Sequence, residues 1–216
     1  MLRSLGAEVI EADALGRELM EPGQAVFAAI VERFGAEVVD ATGRLSRARL
    51  AELAFRQGRL AELNAIVHPP VIAAQVRWMD EVFAHDPAAV AVIESALIFE
   101  VVRDARARGE TEGVLADWRR RIDRIVVVTA PDEVKISRYV ARMQASGGGR
   151  YASAESLEVD ARDRLALQVS DAEKAAQADY VIDNSGDLAS LRAQVEVLWP
   201  HLREASNQTA QARSLQ

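Results

Sequence analysis

Apolar residues in this chain occur in two patterns. There are short unbroken runs bounded by turn residues, and longer stretches in which apolar positions recur every three or four residues. The short runs predict strands at Glu8-Val9-Ile10, Val90-Ala91-Val92-Ile93-Glu94, Arg124 to Thr129 and Tyr180-Val181-Ile182-Asp183. The second is continuously apolar, as expected of a strand buried on both faces of a parallel sheet. The third is closed by Ala130-Pro131-Asp132 and the fourth by Asn184-Ser185-Gly186. Helices are expected over Gln24 to Phe34, Ser46 to Phe55 with Ser46 as N-cap, Arg59 to Val67 and Pro70 to Phe83. His68-Pro69-Pro70 separates the last two, because proline lacks a backbone donor and biases its predecessor away from the helical region. Strands separated by helices define an α/β fold with a mainly parallel sheet.

Two segments depart from this alternation. Residues 103–121 are heavily charged and include Gly109, Gly113 and Trp118, and they read as a partly helical insertion. Residues 142–168 hold Ser146-Gly147-Gly148-Gly149-Arg150, a flexible hinge, followed by an acidic and then arginine-bearing helix, the composition of a mobile lid. Residues 1–202 are expected to form one domain, and 203–216 a frayed, disordered tail poor in anchoring apolar groups.

Composition narrows the chemistry. Half of the 216 residues are hydrophobic, enough for a full-sized core. A net charge of -7 and a pI of about 5.1 argue against a nucleic-acid or membrane-surface binder, while leaving room for a small polyanion on a local basic cluster. With zero cysteines there are no disulfides, thiolate nucleophiles or thiolate metal sites. No run approaches the roughly 20 apolar residues of a membrane helix, and the N-terminus lacks a secretory apolar region, so a cytoplasmic protein is expected.

Several short motifs occur in a fixed order. They are Glu11-Ala12-Asp13 after a strand, Glu21-Pro22-Gly23, Phe34-Gly35, Leu63 to Pro69, Leu97-Ile98-Phe99-Glu100, Arg164-Leu165-Ala166-Leu167-Gln168 and Ala178 to Asn184. Together they resemble the dephospho-CoA kinase family over most of the chain. The resemblance implies a three-layer P-loop kinase fold, with a helical CoA-side region over residues 24–87 and a lid. The implied reaction is transfer of the γ-phosphate of ATP, with Mg²⁺, to the ribose 3′-hydroxyl of dephospho-CoA, the last step of coenzyme A synthesis. The implied partners are dephospho-CoA and ATP, with no nucleic acid and no membrane.

Phosphoryl transfer needs clamped phosphates, neutralised charge and an attacking hydroxyl aimed in line. Asp13, at the carboxyl end of a parallel strand, faces the crevice where such folds bind ligands. By resemblance it is the base for the 3′-hydroxyl and a contact to the Mg²⁺ shell; the alternative is that it only caps the following helix. Glu11 stands where the family often has Asp, and Glu94 is a second candidate for the outer metal shell. The resemblance puts His68 and Pro69 beside the acceptor site. It puts Phe99 and Glu100 on a crevice loop, although Phe99 reads more simply as core, and Ala96 replaces a usual proline. Arg142, Arg162 and Arg164 are the candidate triphosphate arginines, against the alternative of solvated helix residues. Asn184 begins the turn that related kinases place against adenine, an ordinary strand exit as well.

One expected part is not among these residues. No Gly-x-x-x-x-Gly-Lys-Ser/Thr loop occurs in the sequence, and Gly147-Gly148-Gly149 lacks the following Lys and hydroxyl. In the family that loop follows a first, central strand, and Met1 to Gly6 resembles the end of the helix after it, with Gly6 turning left-handed. The expectation is a start assigned at an internal Met, a chain inactive as it stands, and inner strands with unpaired edges. A non-catalytic CoA- or nucleotide-binding pseudokinase and another small-molecule kinase of the same superfamily remain as alternatives.

Overall fold

The computed structural model describes residues 1–110, 118–146 and 153–214. The chain divides into two compact units, Leu2–Arg121 with Arg203–Gln216, and Ile122–Leu202 with Met1. Each unit buries its own apolar residues.

In the first unit a 3-10 turn at Leu2–Leu5 ends at Gly6, whose φ of 106° is the left-handed geometry expected of it. Strand β1, Glu8–Glu11, leads into helix α1, Ala12–Leu19, and then α2, Ala25–Phe34. Helix α3, Arg47–Ala51, starts where expected: the Ser46 hydroxyl accepts from the Arg49 N–H. It continues as a π-helical turn through Arg56. Val26, Ile30, Phe34, Val38, Leu50 and Leu53 form the main core cluster, with Leu63, Ile66 and Val67 packed against it.

Those last residues belong to α4, Leu60–His85, which corrects the expected break at His68-Pro69-Pro70. The helix passes through both prolines. Two hydrogen bonds to the preceding turn are lost, but the flanking apolar face packs on both sides of the lesion, and tertiary burial outweighs local propensity. Strand β2, Ala91–Glu94, pairs parallel with β1, placing Glu11 opposite Glu94. Helix α5, Ile98–Ala107, then packs on α4 through Ile72, Val101 and Ala105. The charged insertion thus begins inside a regular helix: Arg103 to Ala107 belong to its last turns, and Trp118–Arg121 form a 3-10 turn.

The second unit carries β3, Val126–Thr129, and β4, Tyr180–Asp183, again a parallel pair. Helix α6, Asp132–Ala145, and α7, Ala154–Ala166, pack together around Ile136, Leu157 and Ala161. The short α8, Asp171–Ala175, opens with a Ser170/Glu173 capping box. The glycine-rich hinge, residues 147–149, lies outside the described residues. The expected tail is corrected: α9, Leu188–Ser214, is one helix that begins in this unit and ends in the first, where Ala205 is buried and the Ser206 hydroxyl donates to the carbonyls of Ala88 and Ala89. Apolar residues three and four apart, from Val195 to Ala205, anchor it.

Candidate active site

The carboxyl ends of β1 and β2 gather acidic groups. Register sets Glu11 against Glu94, and one turn on, α1 presents the exposed Asp13 in its first turn. The N-cap position belongs to Glu11, which makes no side-chain capping bond, so Asp13 is not held as the cap. Partial desolvation, followed by the charges of Asp13 and Glu11, holds the Glu94 carboxyl above the usual carboxylate range. On the other side Arg3 lies 3.8 Å from Glu11 and donates to the Val9 carbonyl at 2.9 Å. Such crowded carboxylates favour a cation. Among the described residues no three His, Cys, Asp or Glu form a metal cage.

The face of α4 toward α5 carries the second group. His68 is half-buried one turn before Ile72, and its pKa is lowered by burial and then by Arg108, with Asp104 opposing. The imidazole is therefore neutral at pH 7, able to donate from one nitrogen and accept at the other. Pro69, beside it, is half-buried inside the helix. Phe99 stands edge-on to Trp118 with ring centroids 5.9 Å apart, and Glu100, 7 % exposed, lies in the first turn of α5.

In the second unit the candidate arginines separate by environment. Arg162 is spanned by both oxygens of Glu133 at 3.0 and 3.3 Å, a clamp between α7 and α6. Arg164 donates from Nε to Asp160 at 2.7 Å and lies 5.7 Å from the Tyr139 ring centroid. Arg142 lies 5.8 Å from the same centroid and makes no ion pair among the described residues. Asn184 is fixed at both ends of its peptide unit: its N–H donates to Thr129 O at 2.8 Å, and its carbonyl accepts from Arg138 at 2.6 Å. Arg138 also donates to the Gly186 carbonyl at 3.1 Å, so one guanidinium spans the turn that leaves β4. Arg138, Tyr139 and Asp160 were not singled out from the sequence. The available signal was spacing on α6, where Arg138 and Tyr139 precede Arg142 by four and three residues.

Parallel strand pairs joined through helices, with acidic groups at the carboxyl ends of one pair, are the arrangement of an α/β fold of the P-loop kinase class. Solved structures agree: a Thermus thermophilus protein, TT1252, superposes with a TM-score of 0.61 at 29 % identity, over 93 % of this chain and 87 % of its own. The dephospho-CoA kinase of Campylobacter jejuni gives 0.57 at 21 % identity, over 94 % and 88 %, a likeness of fold. The dephospho-CoA kinase family model matches residues 1–190. The Corynebacterium diphtheriae dephospho-CoA kinase is 35 % identical over 90 % of this chain and 84 % of its own length. That of Symbiobacterium thermophilum is 36 % identical over 92 % and 72 %. The chain belongs to the dephospho-CoA kinase family.

Proposed function

We propose that this protein serves transfer of the γ-phosphoryl group of ATP to the ribose 3′-hydroxyl of dephospho-CoA, in the cytoplasm. The observation that carries this reading is family membership across residues 1–190. In this reading Asp13 accepts the proton of the attacking hydroxyl, and the acidic surroundings recorded by Glu94 keep a cation close to it. Mg²⁺, when bound, neutralises charge on the phosphate oxygens; Asp13 is the residue to touch its shell, with Glu94 outside it. His68, with Pro69 shaping its helix, and Phe99 and Glu100 line the acceptor side. Neutrality of His68 suits hydrogen bonding to the acceptor rather than charge pairing. Residues 142–168 act as the lid, with Arg142 and Arg164 directed to the triphosphate and Arg162 retained by Glu133 as the strut between helices. Asn184 and its turn receive the adenine.

The 216 residues contain no glycine-rich phosphate loop, so the chain by itself is expected to be inactive. The test is ATP-dependent phosphorylation of dephospho-CoA by the 216-residue chain and by the same chain fused after a strand, phosphate loop and helix taken from a relative. Activity only in the fusion is the expected result. A fusion that is folded and inert toward dephospho-CoA refutes the kinase reading and favours a binding protein.

A further inference from the structure

Tyr139 is the point on which two helices converge. It lies on α6 one turn before Arg142, and its hydroxyl donates to Asp160 Oδ2 on α7 at 2.5 Å. The same oxygen accepts from Arg164 Nε at 2.7 Å. The Asp160 side chain is only 16 % exposed, whereas that of Arg164 is 46 % exposed. One carboxylate oxygen, shielded and shared, therefore fixes the inner edge of a guanidinium whose body reaches solvent. Arg142 approaches the same ring, so the two guanidinium carbons are no farther apart than the sum of their distances from it. The ring and the carboxylate both favour guanidinium charge at this place.

Resting on the reading of Arg142 and Arg164 as triphosphate residues, we propose that Tyr139 and Asp160 are positioning residues. They hold the two arginines, before ligand arrives, as a clamp for a polyphosphate. The carboxylate takes the Nε edge of Arg164, orienting the guanidinium plane, and the tyrosine hydroxyl stops the carboxylate from rotating away. Preorganisation of this kind lowers the ordering cost of binding rather than adding a contact to the ligand.

The alternative to positioning is bulk charge, and the two make opposite predictions. Asp160→Asn removes a negative charge beside two arginines; charge alone then gives tighter anion binding, whereas loss of positioning gives weaker binding. Tyr139→Phe keeps the ring and the charge and deletes one hydrogen bond. The experiment is calorimetric titration of the 216-residue chain with inorganic tripolyphosphate, for wild type, Y139F, D160N, the double variant and R192Q on the exposed face of α9.

We expect Y139F and D160N each to weaken tripolyphosphate binding by roughly tenfold, the low end of the scale of one hydrogen bond to a charged group. The double variant should be no weaker than D160N, because both changes act through one oxygen, and R192Q should match wild type. Dephospho-CoA, titrated into the same samples, should bind wild type, Y139F and D160N alike, a result that general loosening of the fold would not give. Tighter or unchanged binding by D160N, unchanged binding by Y139F, or no binding by wild type overturns the proposal. Failure of dephospho-CoA to bind any sample while the tripolyphosphate order holds refutes the functional reading and supports the positioning pair.

Discussion

Lysine is scarce in this chain, and both lysines are committed. Lys135 is tied to Asp132 at 3.1 Å and Asp171 at 2.8 Å, and Lys174 is buried. Positive charge for an anionic ligand therefore comes from arginine, whose planar fork suits phosphate oxygens. At this scale Asp13→Asn is expected to lower turnover about 10²- to 10⁴-fold in the loop-bearing fusion and to leave ATP affinity nearly unchanged, since a general base acts on the acceptor proton. Steady-state kinetics beside a nucleotide titration checks it, and unchanged turnover removes Asp13 from the mechanism. A second residue-scale expectation concerns Glu62. Hydrogen bonding to Arg59 and then Arg33 lowers its pKa from 4.5 to about 2. A depressed acid pKa contributes stability that is present above pH 4.5 and is lost as pH falls toward 2. Glu62→Gln should flatten thermal stability against pH across that window, and an unaltered slope would show that the pairing does not survive in solution.

Among the elements, α4 is where local chemistry and tertiary packing disagree most. Its sequence asks for a stop at His68-Pro69-Pro70, yet the helix continues, with Val71, Ile72 and Gln75 buried just beyond. If packing alone carries the helix through, Pro70→Ala returns a donor to the turn and should raise stability by about 1–3 kcal/mol, readable by chemical denaturation. A loss of stability would show instead that the native backbone there is not helical enough to use the donor. Helices α6 and α7 present the opposite case. Their caps and apolar faces are locally consistent, but the alignment of Tyr139, Asp160 and Arg164 exists only once the two helices pack. A single-helix pattern on α6 shows Tyr139 near Arg142, and one on α7 shows Asp160 four residues before Arg164; neither contains the bond between them.

At the scale of the molecule, strand pairing is sparse among the described residues. The described strands form the pairs β1–β2 and β3–β4, and among the described residues no third strand joins either pair. Val128 and Val181, on the second pair, are 54 % and 50 % exposed. Apolar strands with unpaired neighbours invite association, so the 216-residue chain should show concentration-dependent self-association by light scattering, and Val128→Lys should reduce it. A chain that stays monomeric at high concentration would contradict this.

The sequence by itself determined the four strands, their parallel sense, the Ser46 cap, the left-handed Gly6 and the family, because each rests on short-range periodicity or on a motif in order. Tertiary structure alone decided the unbroken α4, the helical end of the chain and the differing surroundings of Arg142, Arg162 and Arg164. These depend on which surfaces meet across long stretches of chain: burial outweighs a proline's local cost, and the Arg162 guanidinium meets a carboxylate that another helix brings to it.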